Sequence, residues 1–330
     1  MIISKTPFRV SFFGGGTDYP AWYKEHEGQV LSTTIDKYCY ISVRNLPPFF
    51  PYKHRVVYSK IEEVQDIEEI KLPPVKSALK LLDIKGGVSI HHEGDLPART
   101  GLGSSSAFSV GLLQCLHMFQ GKEISKDELA KEAIHFERDI LQENVGSQDQ
   151  VAVTHGGLNK ISFSGDDKVR IEPVEVSKER KKELESHVVL YFTGFSRNAT
   201  DVAREQIENT QAKEKELQRM SEMVDEAMGI LQNPTKDIAE FGKLLHESWE
   251  LKKNLSDKIT NPEIDAIYER ALQAGAIGGK LIGAGGGGFM LLFIPLEKQA
   301  GVKEALHDLL EVRFQFEQEG SQIIYNNKKI

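Results

Sequence analysis

Hydrophobic and polar residues alternate along much of the chain with a period of two. Several of these runs are rich in β-branched and aromatic side chains, which fit the pleated, half-buried surface of a sheet. Predicted strands cover residues 2–13, 29–45, 55–60, 87–92, 187–193 and 289–294. Residues 157–176 predict a hairpin whose turn is Gly165-Asp166-Asp167.

Other segments repeat their apolar residues at the spacing of a helix. Residues 104–119 carry such a stripe and predict a helix that follows a glycine-rich loop. Ser125 and Glu128 form a capping-box pattern, which predicts a second helix from there to about Leu141. Further predicted helices cover residues 75–83, 147–155, 198–230, 235–255, 262–275 and 300–312.

This mixture of strands and helices predicts an α/β (α+β) protein. At 330 residues, the chain exceeds the size at which a single hydrophobic core usually stops growing, so two domains are expected. The most highly charged stretch, KERKKELES, covers residues 178–186 and marks the expected boundary. The predicted domains are therefore residues 1–183 and 184–330.

Composition and charge narrow the class of protein. A formal net charge of −8 argues against a general nucleic-acid surface, which needs clustered cations. Cys39 and Cys115 lie in apolar runs and are expected to be buried free thiols in a reducing compartment. No signal peptide is apparent, and no run approaches the about 18 apolar residues of a membrane span. We therefore expect a cytoplasmic protein that binds neither nucleic acid nor membrane.

The segment Leu96–Ala107 (LPARTGLGSSSA) lies between a predicted strand and a predicted helix. Its glycines allow the backbone to approach a ligand, and the start of the helix supplies unpaired N–H groups and a positive dipole end. Together these features predict an anion site suited to a triphosphate. Its serines could cap the helix or donate an oxygen to magnesium. The alternative is a structural loop with serine caps. No GxxxxGK[ST] sequence is present, so it is not a Walker loop.

Two further glycine-rich segments accompany it. In Thr6–Tyr19, a strand carries Arg9, three glycines turn the chain and Asp18 follows; alone, this is typical of a tight turn with a solvated acid. In Gly278–Phe289, residues 283–288 match GxGxxG. A dinucleotide fold would require a helix next, whereas a strand is predicted there, so the Rossmann interpretation fails.

The three segments resemble, in order and spacing, the three signatures of the GHMP kinase superfamily (galactokinase, homoserine kinase, mevalonate kinase and phosphomevalonate kinase). The loop matches the second signature, PxxxGLGSSxA, at every defining position. The resemblance spans the whole chain. It implies an ATP-dependent transfer of phosphate to an alcohol. It also implies an N-terminal domain like ribosomal protein S5 domain 2 and a ferredoxin-like C-terminal domain.

The resemblance also implies site residues. Asp149, in the stretch 146–150, would be the catalytic base and Arg9 would neutralise charge on the transferred phosphoryl group. Ser105 and Glu137 would hold Mg2+. Alone, Glu137 is typical of a helix-surface charge and Asp149 of a first-turn helix acid, and Asp149 could also act mainly as a positioner. The ATP-binding residues would be Pro97, Gly101, Leu102, Gly103, Ser104, Ser105 and Ser106. The acceptor-binding residues would be Gly15, Gly16, Thr17, Asp18, Asp149, Arg197, Gly285, Gly286 and Gly287.

The all-glycine turn at residues 14–16 resembles the heptose-phosphate and fucose types of sugar kinase. This resemblance implies phosphorylation of the anomeric hydroxyl of a sugar or sugar phosphate, with D-glycero-D-manno-heptose 7-phosphate as the expected acceptor and surface polysaccharide synthesis as the expected use. An acceptor phosphate would need a second cationic site. The candidates are Arg197, Lys252, Lys253 and Lys53-His54-Arg55, although each alone is typical of a solvated surface cation. The alternatives are another sugar-1-kinase of the fucose or arabinose type, and a non-catalytic sugar-sensing regulator. A homodimer is possible.

Overall fold

The computed structural model describes residues 1–165, 167–194 and 199–327. The strands are β1 Ile2–Phe13, β2 Gly28–Asn45, β3 His54–Val57, β4 Ile61–Val64, β5 Val88–Gly94, β6 Leu158–Ser164, β7 Lys168–Pro173, β8 Val188–Gly194, β9 Gly278–Leu281, β10 Gly288–Phe293, β11 Leu310–Val312, β12 Phe316–Glu317 and β13 Gln322–Asn326. The α-helices are α1 Pro20–Tyr23, α2 Pro73–Leu81, α3 Ser104–Phe119, α4 Lys126–His135, α5 Gln148–His155, α6 Lys178–His187, α7 Ala199–Glu208, α8 Glu214–Gln232, α9 Ala239–Lys253, α10 Pro262–Gln273 and α11 Gln299–Ala305.

Two sheets organise the described part of the molecule. The first has the order β13-β1-β2-β5-β3-β4, with β6 and β12 also paired to β2, and β7 paired to β6. The second is antiparallel, with the order β11-β8-β10-β9. Helices α3 and α5 pack on the first sheet, and α9 packs on β9 of the second. This is the expected mixed α/β architecture.

A continuous apolar core joins the two sheets. Phe12 of the first sheet meets Phe241 of α9 edge to face, with ring centroids 5.4 Å apart. Phe241 in turn lies 6.4 Å from Phe293 of the second sheet. All three side chains are fully buried. Aromatic pairs stabilise a fold beyond the burial of their apolar area. These contacts therefore stabilise the packing of the two sheets against each other.

The last two described strands lie in the first sheet, whereas residues 184–330 are predicted as one C-terminal domain. Strand β13 pairs antiparallel with β1, and β12 pairs with β2. The predicted boundary near residue 183 falls inside α6, which runs directly into β8. Pairing with β13 covers backbone N–H and C=O groups of β1 that would otherwise form an open edge. Local composition does not indicate that the last strands pair with the first ones, so the sequence alone could not predict this arrangement.

Several predicted elements are confirmed and others differ. Helix α3 has the predicted bounds, and the Ser125–Glu128 capping box opens α4. The helix predicted to reach Leu141 changes at Phe136 into a single π-helical turn, Phe136–Ile140. The helix predicted over 198–230 is two helices, α7 and α8, because the chain turns at residues 209–213. The helix predicted over 300–312 ends at Ala305 and is followed by a strand.

Five of the described strands, β4, β9, β11, β12 and β13, lie outside the predicted strands. The sequence of β9, Gly278-Gly279-Lys280-Leu281, contains no β-branched residue and reads as part of a glycine loop. Asp166, in the predicted hairpin turn, lies outside the described residues, while β6 and β7 form the predicted hairpin arms. Cys39 and Cys115 are buried and free. Among the described helices, none has the length and apolar character needed to cross a membrane.

Candidate active site

A cavity of about 450 Å³ opens where the first sheet, the loop before α3 and the glycine loop before β10 meet. Of the predicted site residues, its lining includes Arg9, Gly15, Gly16, Asp18, Gly101, Gly103, Ser104, Ser105, Asp149, Gly285 and Gly287. Residues from far-separated parts of the chain therefore meet in one place, as the three sequence segments predict.

The loop before α3 presents its backbone to the cavity. Gly101 and Gly103 adopt φ angles of 87° and 70°, in the region that favours glycine. A Cβ on Gly101 would lie 2.0 Å from the carbonyl oxygen of Ile282, so no side chain fits there. Ser104 and Ser105 open α3 at the cavity wall. The start of α3, with its unpaired N–H groups, therefore lies at the cavity wall, and this predicted anion site is open to a ligand.

The glycine loop before β10 packs directly on that anion site. A Cβ on Gly283 would lie 2.4 Å from the Cα of Gly101, and the N–H of Phe289 donates to the carbonyl of Thr100 at 3.2 Å. Gly285 and Gly287 line the cavity, whereas the N–H of Gly286 donates to Ile259 at 2.9 Å. Glycines are required here because two backbones approach closer than any side chain permits.

Arg9 and Asp149 form a two-pronged ion pair at the cavity wall. The Nε and Nη2 groups of Arg9 each donate to a carboxylate oxygen of Asp149 at 2.7 Å. The Nη1 group of Arg9 donates to the carbonyl of Gly101 at 2.5 Å, which ties the pair to the anion site. The Asp149 side chain keeps 25% of its surface exposed, so a ligand can reach it. The pair holds a carboxylate in a fixed orientation.

The glycine turn after β1 places Asp18 in the same cavity. Its carboxylate accepts from the N–H groups of Gly16 at 3.0 Å and Gln148 at 3.3 Å. Burial, and secondly the neighbouring Asp149, raise the pKa of Asp18. Thr17 serves the turn itself, since its buried hydroxyl donates to the carbonyl of Gly14 at 2.8 Å.

Glu137 lies beneath the anion site instead of in the cavity lining. It sits in the π-helical turn and is fully buried. Its Oε2 accepts from the hydroxyl of Ser106 at 2.8 Å and from the amide of Gln150. Its Oε1 makes no well-formed hydrogen bond, although the hydroxyl of Ser109 lies close enough to oppose the effect of burial on the pKa of Glu137. Burial raises the pKa of Glu137 to about 7. π-Helical turns occur frequently at functional sites.

The carboxylate beside Ser105 is that of Glu143. Both residues line the cavity, and a hydrogen bond from Ser105 opposes the rise that burial causes in the pKa of Glu143. The predicted magnesium pair, Ser105 and Glu137, is thus not joined directly, because Ser106 takes the place beside Glu137. The described residues contain no group of three or more His, Cys, Asp or Glu side chains able to hold a metal. A magnesium ion here would need phosphate oxygens as well.

Other predicted residues have different positions. Pro97 accepts a hydrogen bond from Thr100 at 2.8 Å, and Leu102 accepts one from the backbone of Arg9 at 3.0 Å; neither lies in the cavity lining. These two residues shape the loop. Arg197 lies outside the described residues.

Two lysines of the cavity wall were weakly indicated by the sequence. Lys252 is one of several cations that the sequence offers for an acceptor phosphate, and Lys280 lies within a glycine-rich segment. Both residues line the cavity. Lys253 instead pairs with Glu250 at 2.7 Å. The available signal was that Lys280 is a charged residue next to a buried apolar strand, where charges are rare unless they are paired.

Family models and several known proteins match this chain. The family models for the GHMP kinases N-terminal and C-terminal domains match residues 74–157 and 217–312. The D-glycero-alpha-D-manno-heptose 7-phosphate kinase of Campylobacter jejuni is 31% identical over 92% of this chain and 93% of its own. The bifunctional fucokinase/GDP-fucose pyrophosphorylase of Arabidopsis thaliana is 27% identical over 94% of this chain and 31% of its own.

Among solved structures, a D-glycero-D-manno-heptose 1-phosphate kinase from Bacteroides thetaiotaomicron superposes with a TM-score of 0.81. It is 23% identical, and the superposition covers 99% of this chain and 100% of that one. That likeness concerns the fold.

The fold, the anion site and these matches define a class: the chain belongs to the GHMP kinase family. It is an ATP-dependent phosphotransferase that acts on an alcohol group, of the sugar kinase type.

Proposed function

We propose that this kinase transfers the γ-phosphoryl group of ATP to the anomeric hydroxyl of D-glycero-D-manno-heptose 7-phosphate, which yields the 1,7-bisphosphate and ADP. The relationship to the Campylobacter jejuni enzyme supports this acceptor. The cavity also suits it, because polar and charged side chains line the space beside the anion site. An anomeric hydroxyl is more acidic than an ordinary alcohol, which suits a carboxylate partner.

The observation that carries the proposal is the position of Asp149 beside the anion site. Its Oδ2 lies 3.5 Å from the place that a Cβ on Gly103 would occupy. A hydroxyl that contacts Asp149 would therefore be close to a phosphate held by the loop amides. Phosphoryl transfer depends chiefly on such positioning and on neutralisation of charge.

In the proposed step, the anomeric oxygen bonds to the γ-phosphorus while the bond from that phosphorus to the β–γ bridging oxygen breaks, and ADP leaves. The hydroxyl proton passes to the Asp149 carboxylate. The guanidinium of Arg9 keeps that carboxylate oriented and offsets negative charge near the transferred group. Asp18 and the glycine turn would bind other hydroxyls of the sugar.

The oxygen donors around Ser105 fit Mg2+, which prefers such ligands and would neutralise negative charge on the ATP phosphates. Ser105 and Glu137 remain the proposed protein ligands, and the unpartnered Oε1 of Glu137 supports the second assignment. Glu143 is an additional donor, because it lies beside Ser105 in the cavity lining.

The test is ADP release with purified protein against a panel of acceptors: heptose 7-phosphate, unphosphorylated heptose, L-fucose and arabinose. We expect kcat/KM to be highest for heptose 7-phosphate. A preference for a neutral sugar would replace this acceptor with the fucose-type alternative, which the Arabidopsis thaliana relationship favours. ATP binding without turnover of any sugar would support a regulator instead.

A further inference from the structure

Two buried lysines converge on the wall of the cavity from different elements. Lys252 comes from the last turn of α9 and Lys280 from the middle of β9. Their side chains line the cavity although the residues are only 6% and 2% exposed. Lysine is seldom buried to this extent without a charged partner, so the pair requires a physical explanation.

The partners of both ammonium groups are neutral carbonyl oxygens. Lys252 Nζ donates to Leu281 at 2.8 Å and to Gly283 at 2.5 Å. Lys280 Nζ donates to the carbonyl of Phe12 at 2.9 Å. An ammonium has three N–H donors. Lys252 therefore retains one donor and Lys280 two for a ligand in the cavity.

Charged groups of both signs face the two lysines. Arg9 is matched by Asp149 through the two-pronged pair. Asp18 is the acidic group that favours the charged form of both lysines, and its oxygens already accept from two backbone N–H groups. Burial lowers the pKa of Lys252, and it lowers the pKa of Lys280 to about 7. An anion bound between the two amines would favour their charged form and offset the cost of burying it.

The same cavity contains polar atoms that lack partners in the described structure. The hydroxyl of Ser11 and the Oε1 of Gln148 are buried in its lining without a hydrogen bond. Buried polar atoms normally have a partner, so these two atoms favour a ligand with hydroxyl groups in the same cavity. The free donors of the two lysines and the unpartnered polar atoms together favour one ligand chemistry, which is a phosphorylated polyol.

We propose that Lys252 and Lys280 form a second phosphate-binding site in the cavity, distinct from the backbone amides of the loop before α3. The bound phosphate is either the one that the acceptor already carries or the phosphoryl group in transit from ATP. The acceptor's identity, though not the presence of a phosphate site, rests on the proposed function.

The experiment compares Lys252→Gln, Lys280→Gln and Lys253→Gln. Glutamine can still donate a hydrogen bond to a backbone carbonyl but carries no charge, and Lys253 is the matched control because it pairs with Glu250 instead. Calorimetry gives the Kd of each variant for heptose 7-phosphate, for unphosphorylated heptose and for ATP. Steady-state assays give KM and kcat. Urea melts establish that the variants are folded.

If the site holds the acceptor's phosphate, both test variants bind heptose 7-phosphate about 10- to 100-fold more weakly, while binding of unphosphorylated heptose changes little. If the site holds the phosphoryl group in transit, kcat falls about 10- to 100-fold for every acceptor and KM hardly moves. Lys253→Gln behaves like wild type in either case.

Affinities and turnover equal to wild type in both folded variants would overturn the proposal and leave the lysines as supports of the glycine loop. If Lys252→Gln does not fold, Lys280→Gln carries the test alone, because it disturbs a single carbonyl contact. If wild type accepts no heptose phosphate but Lys280→Gln loses turnover with another sugar, the acceptor assignment fails while the lysine site stands.

Discussion

Two acidic residues, Asp149 and Glu137, lie close to the same loop in opposite environments. Asp149 faces the cavity and is clamped by a guanidinium. Glu137 is fully buried and meets the neutral hydroxyl of Ser106 and the neutral amide of Gln150. An adjacent cation favours a carboxylate, whereas burial among neutral groups favours the protonated acid.

This difference in surroundings gives Asp149 and Glu137 different roles. Asp149 is suited to meet a ligand, since it is oriented and accessible. Glu137 supports the start of α3 through its hydrogen bond with Ser106. Its Oε1 is available to a cation only if a ligand carries one into the site. Both residues carry a carboxyl group, so their different roles follow from the surroundings of each group.

The largest effect is expected from Asp149→Asn. This change keeps the shape but removes the proton acceptor and leaves Arg9 without its counter-charge. We expect kcat to fall by about 10²–10⁴, which corresponds to about 3–5 kcal/mol of barrier. Steady-state ADP release measures it. Asp127→Asn is the control, because Asp127 is likewise a first-turn helix acid but is exposed. Near-normal turnover in Asp149→Asn would remove the base assignment.

A smaller effect, on stability, is expected from Glu137→Gln. Because the folded pKa of Glu137 is raised from 4.5 to about 7, its stabilising contribution is full below pH 4.5 and is lost as pH rises through 7. Wild type should therefore lose up to about 3 kcal/mol of unfolding free energy between pH 4.5 and 8 through this residue. Glu137→Gln should abolish that part of the decline.

Urea midpoints at pH 5 and pH 8 in the presence of EDTA measure this contribution. Exposed Glu123→Gln serves as the control variant. The interpretation of Glu137 as a buried acid that holds a proton near neutrality is wrong if wild type and Glu137→Gln show the same pH dependence. Added Mg2+ and nucleotide should narrow the difference if Oε1 binds the metal.

The smallest effects are expected from alanine substitutions of Ser105 and Ser106, which test the same difference between the cavity wall and the buried acid. Ser106→Ala removes a hydrogen bond to the buried Glu137 and should cost about 1–3 kcal/mol of stability. Ser105→Ala changes an exposed hydroxyl and should stay within about 0.5 kcal/mol of wild type in stability. It should, however, weaken Mg2+-dependent ATP binding. Thermal melts and ATP titrations with and without Mg2+ separate the two, and equal stability losses would contradict this division.

Much of the first sheet and its helices could be predicted because their signals are local. Helix α3 follows from a stripe of apolar residues after a glycine–serine start, and α4 from its capping box. The return of β12 and β13 to the first sheet could not be predicted, since it depends on pairing with strands about 300 residues earlier. Strand β9 could not be predicted because glycine has a low strand propensity. Its glycines are present because the backbone packs closely against α9.

The loop before α3 could be predicted from local sequence, because glycines that permit the backbone path and a helix start that supplies N–H groups act within a dozen residues. Which side chains meet beside that loop depends on the folding of distant segments onto one another. Arg9 and Asp149 are separated by 140 residues, and Lys252 and Lys280 come from a helix and a strand. Whether each group is charged, buried or open to a ligand depends on packing between distant segments, which no local pattern records.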